Sequence, residues 1–466
     1  AGRGQLDTAA QLYREALSST QVPSVQWSAH AGLATVATRN NDHAAATREF
    51  ETALEILEQT RSDLLRTDYK LSFLTQLIEF YQSYAEALVN QGRSDRALEI
   101  ADSSRGRVLA DRQRVAAPAR VSAAAFQRVA ARTKTTLLSY WLAPKRSFLW
   151  VVTGTGVRRI DLPPAADIEK LVRDYRALVD NSLADPLKGT NTPGDRLYQL
   201  LIAPAGLPHN ASVVLVPDGA LYGINFETLP VDGPQRHYWI ADAQVQVAPS
   251  LAMLTADGAK PPTDGRLLLI GNPTPRPPEF PALSYAPAEM TSIVRHFTQD
   301  RVTAFDSTRA TPAAYQQAPL DQYSMIHFTA HATANVDSPL DSAVVLSGPD
   351  TSYKLYARDV ADKPLKAALV TVSACRSAGE RTYSGEGLVG FAWAFLRAGA
   401  HRVVAGLWDV DDRSTAQLMD ALYGGVRNGE PPAAALRAAK LKLLGTGGQL
   451  ARPYYWGPFQ VFTVKP

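Results

Sequence analysis

The stretches SMIHFTAH (residues 324–331) and ALVTVSAC (residues 368–375) decide how the C-terminal half of this 466-residue chain is read. Each opens with a strand-length apolar run, Ser324–Thr329 in one and Ala368–Ser373 in the other. Each then passes through a small residue to a side chain with reactive chemistry. Short apolar runs of this kind fit strands covered on both faces. Leu267–Ile270 and Arg402–Leu407 read the same way, and a helix of about Glu386–Arg397 separates the last two strands. In it Leu388, Phe391, Ala392, Phe395 and Leu396 fall at i, i+3, i+4, i+7 and i+8, one apolar face for a sheet, and Gly399 ends it as a C-cap glycine does. Strand alternating with helix predicts a largely parallel sheet with helices on both faces.

In such a sheet ligands bind beyond the carboxyl ends of the strands, and His331 and Cys375 stand at two such ends. An imidazole can take a thiol proton near neutral pH. Taken singly, a cysteine is more often a buried small hydrophobe than a nucleophile, and a lone histidine is ordinary too. Their shared placement is what distinguishes them. Ala330, Ala332, Ser373 and Ala374 leave room for a substrate backbone, and Ser377, Gly379, Ser384, Gly385 and Gly387 form a segment able to bend around a peptide. His327 shares the parity of His331 but lies deeper in its strand, so a structural, hydrogen-bonded role is expected for it. His401 opens the next strand and is expected at the surface. There is no G-x-S-x-G elbow to suggest a serine hydrolase.

Outward from this half the texture changes. Residues 1–112 read as helical and carry a weak internal repeat: Gly4-x4-Ala9-x3-Tyr13-x2-Ala16 recurs as Asn41-x4-Ala46-x3-Phe50-x2-Ala53 and as Gly92-x4-Ala97-x3-Ala101-x2-Ser104. The small residues let paired helices approach and the aromatic fills the gap between them. The pattern resembles tetratricopeptide repeats. Residues 113–134 read as a helical connector. From Thr135 strand patterning begins, with Leu137–Leu142 and Ser147–Val152 about a hairpin at Ala143-Pro144-Lys145-Arg146. Helices of about Ala166–Ser182 and Gly194–Ala203 follow, then a buried strand Ser212–Val216 closed by Pro217-Asp218-Gly219. Pro261–Gly265 reads as a linker, dividing 135–260 from 261–466.

With 48 basic and 45 acidic side chains the net charge is +3, which gives no reason to expect nucleic acid or an anionic membrane as partner. No apolar run approaches the roughly 18 residues that cross a bilayer. One cysteine excludes an intramolecular disulfide and a cysteine-based metal cluster, so neither metal nor other cofactor is expected. A reducing, cytoplasmic setting fits. The first repeat lacks its preceding helix, so the chain reads as a fragment, and a removed targeting segment stays open.

His327-Phe328-Thr329-Ala330-His331 resembles the HxxxHG motif of CHAT domains, caspase-like cysteine peptidases related to separases and commonly attached to tetratricopeptide repeats, and Val372-Ser373-Ala374-Cys375 resembles their SAC motif. Gly385 to Gly390 with Ala392 and Phe395 is similar to the family's next helix, and Ala405 to Asp412 to the strand end beyond it. Val216 to Leu221 and Phe226 to Leu229 also look like the family. The resemblance implies a caspase-like α/β sandwich after helical repeats, with His331 as general base and Cys375 as nucleophile. It implies an oxyanion held by the backbone N–H groups of Cys375 and Ala332. Ala332 stands where glycine is usual; alanine keeps the N–H but restricts φ. Asp409, Asp411 and Asp412, with Ser373, lie near where relatives build the pocket for the residue before the scissile bond. The carboxylates suit a basic side chain, or else are solvated loop groups. Region 135–260 is expected to be an inactive companion half. The function implied is a cysteine endopeptidase acting on protein or peptide substrates, controlled by a protein bound to the repeats through the loop Arg376–Gly385. The alternative is an inactive interaction scaffold with a peptidase-like fold.

Overall fold

The small residues of the repeat do bring helices together. Helices α1 (Arg3–Ser19), α2 (Pro23–Arg39) and α3 (His43–Ser62) pack in series, followed by α4 (Ile78–Asn90), α5 (Ser94–Ser103) and α6 (Ala123–Thr133). A Cβ placed on Gly32 of α2 would lie 2.3 Å from the Tyr13 ring of α1, so only glycine admits that aromatic. Ala46, Phe50 and Ala53 are fully buried, and Phe50 stacks on Tyr84 at 4.6 Å. The computed structural model describes residues 3–62, 77–106, 109, 121–256, 260–274, 279–349, 352–379, 381–383 and 387–465.

Eleven strands then form one sheet. The first half supplies β1 (Thr136–Trp141), β2 (Ser147–Thr153) and β3 (Gly156–Leu162), then helices α7 (Ala165–Val179) and α8 (Pro193–Leu201), and strands β4 (Ala211–Val216) and β5 (Ala243–Val247). After the short helix α9 (Leu251–Thr255) come β6 (Leu267–Pro273), α10 (Ala286–Val294), β7 (Val302–Ser307) and β8 (Met325–Thr329). A small side sheet follows, made by β9 (His331–Thr333), β10 (Ala343–Val345) and β11 (Lys354–Tyr356). The main sheet resumes with β12 (Leu369–Ser373). A hairpin of β13 (Arg381–Tyr383) and β14 (Gly387–Val389) leads to α11 (Phe391–Ala398), β15 (Arg402–Gly406), α12 (Asp412–Arg427), α13 (Pro432–Gly445) and β16 (Phe459–Thr463). The order is β3-β2-β1-β4-β5-β16-β15-β12-β8-β6-β7. Pairing is parallel except β1 with β2, β2 with β3, and β15 with β16. The last strand, β16, is what joins the halves, lying antiparallel to β15 and parallel to β5.

The helix read as Glu386–Arg397 begins instead at Phe391. Gly387 takes φ +77, and Gly387–Val389 pairs with Arg381–Tyr383 as a strand. Gly390 then passes so close to Gly379 that a Cβ on it would lie 2.5 Å from the Gly379 Cα. Those two glycines let the chain turn before the helix starts. Glu386 itself lies outside the described residues, as do residues 113–120 of the stretch read as a helical connector; the rest of that stretch carries α6.

Helices and first half share one core. Phe50, Tyr84, Leu98 and Phe126 belong to the same buried cluster as Trp141, Phe148, Trp150 and Val214. Polar groups fasten the join. The Asp102 carboxylate accepts from Leu251 N (2.6 Å) and Ala252 N (2.9 Å), capping α9, and buried Arg105 donates to Ser139 Oγ and the Tyr140 carbonyl. Between the halves, Lys440 of α13 is fully buried against Glu227 and the Phe459 carbonyl.

Candidate active site

Strands β8 and β12 are parallel neighbours in which Thr329 pairs with Ser373. His331 and Cys375 each lie two residues beyond that rung, so they emerge at matching heights from adjacent strand ends. His331 starts β9, which folds away against β10. Its Nε2 lies 2.7 Å from the Pro281 carbonyl, and the Phe280 ring sits 5.6 Å from its own. A carbonyl only accepts, so Nε2 carries the proton and the neutral ring keeps its lone pair on Nδ1.

Past Cys375 the chain turns sharply. Arg376 holds φ +47, uncommon for a side chain of its size. Ser377 Oγ fastens the turn, donating to the Val372 carbonyl (2.9 Å) and accepting from Gly406 N–H (2.8 Å), and Ala378 N–H reaches the Gly406 carbonyl (2.9 Å). The turn is thereby bolted to the end of β15. Burial pushes the half-buried Cys375 thiol upward, and the Asp409 carboxylate, which accepts from it, pushes the same way; Val410 N–H and Arg376 oppose them. Arg376 forms a bidentate pair with that carboxylate, Nε to Oδ1 at 3.0 Å and Nη2 to Oδ2 at 3.1 Å.

The acidic trio divides its work. Asp409 faces the thiol. Asp411 caps α12, accepting from Ser414 N–H at 2.8 Å. Asp412 Oδ2 accepts from Tyr285 N–H at 2.7 Å, on the His331 side. Ser373 is buried at the last rung of β12. A further carboxylate, Asp180 at the end of α7, lies near enough to be influenced by Arg376 and Asp409, and Tyr454 stands near Asp409 and Cys375. Ala332 sits in β9 opposite Val344 with no positive φ, so alanine is unstrained there.

His327 is fully buried. Its Nε2 is 2.9 Å from both Glu289 Oε1 and Thr329 Oγ1, and its Nδ1 is 3.1 Å from the Tyr423 hydroxyl. Glu289 and Tyr423 come from α10 and α12, so this network clamps two helices to the sheet beneath the site. Glu289, Pro281 and Asp180 were not singled out from the sequence, and Ser377 and Arg376 were read only as part of a flexible loop, not as a fastening hydroxyl and a partner for Asp409. Nothing local marks them, since each acts on a residue brought near by folding. No group of three or more His, Cys, Asp or Glu among the described residues is arranged to hold a metal ion.

The hairpin after the nucleophile reaches the first half. Arg381 Nη1 donates to the Asp337 carbonyl at 2.9 Å, tying it to the loop that follows β9. A Cβ on Gly387 would lie 2.6 Å from the Tyr222 ring. Of the loop Arg376–Gly385 expected to gate the site, residues 376–379 form the bolted turn and 381–383 form β13, while 380, 384 and 385 lie outside the described residues.

Three likenesses to known proteins accompany this geometry. The CHAT domain family model matches residues 191–463. Tetratricopeptide repeat protein 28 of Mus musculus is 32% identical over 105 residues, 22% of this chain but 4% of that protein's length. The Saccharomyces cerevisiae separase–securin complex contains a chain that superposes with TM-score 0.53 at 10% identity, over 90% of this chain and 37% of that one. At that identity the superposition speaks for the fold: a peptidase-like α/β sheet preceded by tetratricopeptide-like helices.

Proposed function

The chain belongs to the CHAT domain family, and from that premise we propose that it is a cysteine endopeptidase with His331 as base and Cys375 as nucleophile. The observation that carries the reading is the Thr329–Ser373 rung, which sets both residues the same two steps beyond adjacent parallel strands. Nδ1 of His331, left basic by the bond from Nε2 to Pro281, takes the thiol proton. The thiolate attacks the substrate carbonyl carbon, and the amides of Cys375 and Ala332 receive the oxyanion. The imidazolium then protonates the departing amine, leaving a thioester. Water, deprotonated by the same imidazole, hydrolyses it.

Asp409, beside the thiol and already holding a guanidinium, favours a basic residue before the scissile bond. Region 135–260 acts as the inactive companion half. The neighbouring separase is bound to securin; in this chain we assign a regulatory protein to the helical repeats. No helix among the described residues is long and apolar enough to cross a membrane, and a cytoplasmic site of action fits the reading.

A second reading, a scaffold with a silent site, is favoured by one observation: burial and Asp409 both push the Cys375 thiol upward, against thiolate formation. Peptide cleavage separates the two. The endopeptidase cleaves a fluorogenic arginine peptide or a protein substrate, with or without a repeat-binding protein, and both Cys375→Ala and His331→Ala abolish it. Cleavage that survives both substitutions refutes the dyad, and its absence from every substrate with wild-type Cys375 supports the scaffold.

A further inference from the structure

Asp412 was grouped with the pocket carboxylates, yet its side chain faces the other way. It is the first residue of α12, and its Oδ2 takes the N–H of Tyr285, the residue just before α10. These two helices pack together, so the bond ties their amino ends where both meet the strand-end surface. The segment it anchors, 280–285, is the one that touches the base. Pro281 offers the carbonyl to His331 Nε2, and Phe280 lies against the imidazole ring. The direction of that carbonyl is set by where the segment sits. At the other end Tyr285 O accepts from Glu289 N–H at 2.8 Å, and Leu283 O from Ala286 N–H at 3.2 Å. Both tie the segment to α10; Asp412 ties it to α12.

We propose that Asp412 is a positioning residue for the base: by holding Tyr285 N–H it seats segment 280–285 so that the Pro281 carbonyl fixes the tautomer and orientation of His331. This rests on the reading of His331 as general base. The tautomer matters because a neutral imidazole has one lone pair. With Nε2 donating to Pro281, that pair is on Nδ1. Let the segment drift and the ring can turn over or carry its proton on Nδ1, and the nitrogen able to accept the thiol proton is lost. Displacement of a catalytic group by about 1 Å costs on the order of a hundred-fold in rate. The carboxylates around Asp412 are Glu289 on α10 and Asp411 on its own turn, with His331 an opposing charge only when its ring is protonated; burial and those two carboxylates push Asp412 upward, Tyr285 N–H and a protonated His331 draw it down. None of them replaces the contact to Tyr285 N–H.

The test uses the full chain and a fluorogenic peptide amide with arginine before the scissile bond. Asp412→Ala is expected to lower kcat about ten- to a hundred-fold with KM unchanged. Asp412→Asn keeps an oxygen for Tyr285 N–H and is expected to recover to within about three-fold of wild type, well inside that loss. A role in folding alone would move Tm and not kcat per folded molecule. Iodoacetamide labelling of the single cysteine near pH 7 gives a readout without turnover, slowed by both His331→Ala and Asp412→Ala. If His331→Ala is impaired while Asp412→Ala is not, or if Asn is no better than Ala, the positioning role is overturned alone. If wild type and His331→Ala are indistinguishable in both assays, the peptidase reading falls and this inference with it.

Discussion

Replacing Asp409 by asparagine should make Cys375 a faster nucleophile toward a small electrophile, although it removes a group from the proposed specificity pocket. The carboxylate accepts from the thiol and opposes its ionisation. At a contact of about 3.5 Å a pair of unit charges repels by roughly 1 kcal/mol in water and several times that at an effective dielectric of about 20. Asp409 is half exposed and paired with Arg376, so the lower end applies. Removing about 1.4 kcal/mol of repulsion raises the thiolate fraction about ten-fold. A less basic thiolate is also less nucleophilic, which returns about a factor of three. The net gain is about three-fold in labelling rate at neutral pH by those two factors. Because the thiol is held above its ordinary range, the wild-type labelling rate should still be climbing at pH values where a free thiol has levelled off, and Asp409→Asn should level off sooner. The chain has one cysteine, so iodoacetamide labelling followed by intact mass reads Cys375 alone. An Asp409→Asn rate equal to or below wild type, with the fold intact by circular dichroism, would refute the electrostatic account.

Arg376→Gln should act oppositely on the thiol, slowing its labelling because the cation that favours thiolate is gone, while lowering KM for arginine peptides by freeing Asp409; faster labelling or a raised KM would contradict it. Lys440→Met should cost about 3–5 kcal/mol, read by denaturant unfolding, since it strands buried Glu227, and adding Glu227→Leu should return most of that loss. A chain cut to residues 135–466 should aggregate or unfold, because Trp141, Phe148 and Trp150 would lose the helices that cover them; a monomeric, cooperative melt of that fragment would show that the sheet stands alone. Tests of repeat-linked control therefore belong in the intact chain.

The strands were legible because a strand buried on both faces leaves a continuous apolar run, and β8, β12 and β15 each do so. The candidate dyad was picked out for a related reason. Small residues precede His331 and Cys375, and strand ends are where side chains of a parallel sheet meet ligands. Periodicity also carried the helices of the repeat, though it overran at Glu386, where Leu388 and Phe391 satisfy a helical spacing that the positive φ of Gly387 forbids. Pairing is another matter. That β8 lies beside β12, and that Phe459–Thr463 crosses to join the halves, depends on contacts between residues far apart in the chain, which no local pattern encodes. The carboxylates show the same division most sharply. Asp409, Asp411 and Asp412 are equivalent as letters, four residues from first to last. Each acquired its task from what folding set against it: a thiol and a guanidinium for Asp409, the amide of its own helix turn for Asp411, and for Asp412 the amide of Tyr285, 127 residues earlier. Residue type limits what a side chain can bond; only the tertiary structure chooses the partner, because that choice is a matter of distance.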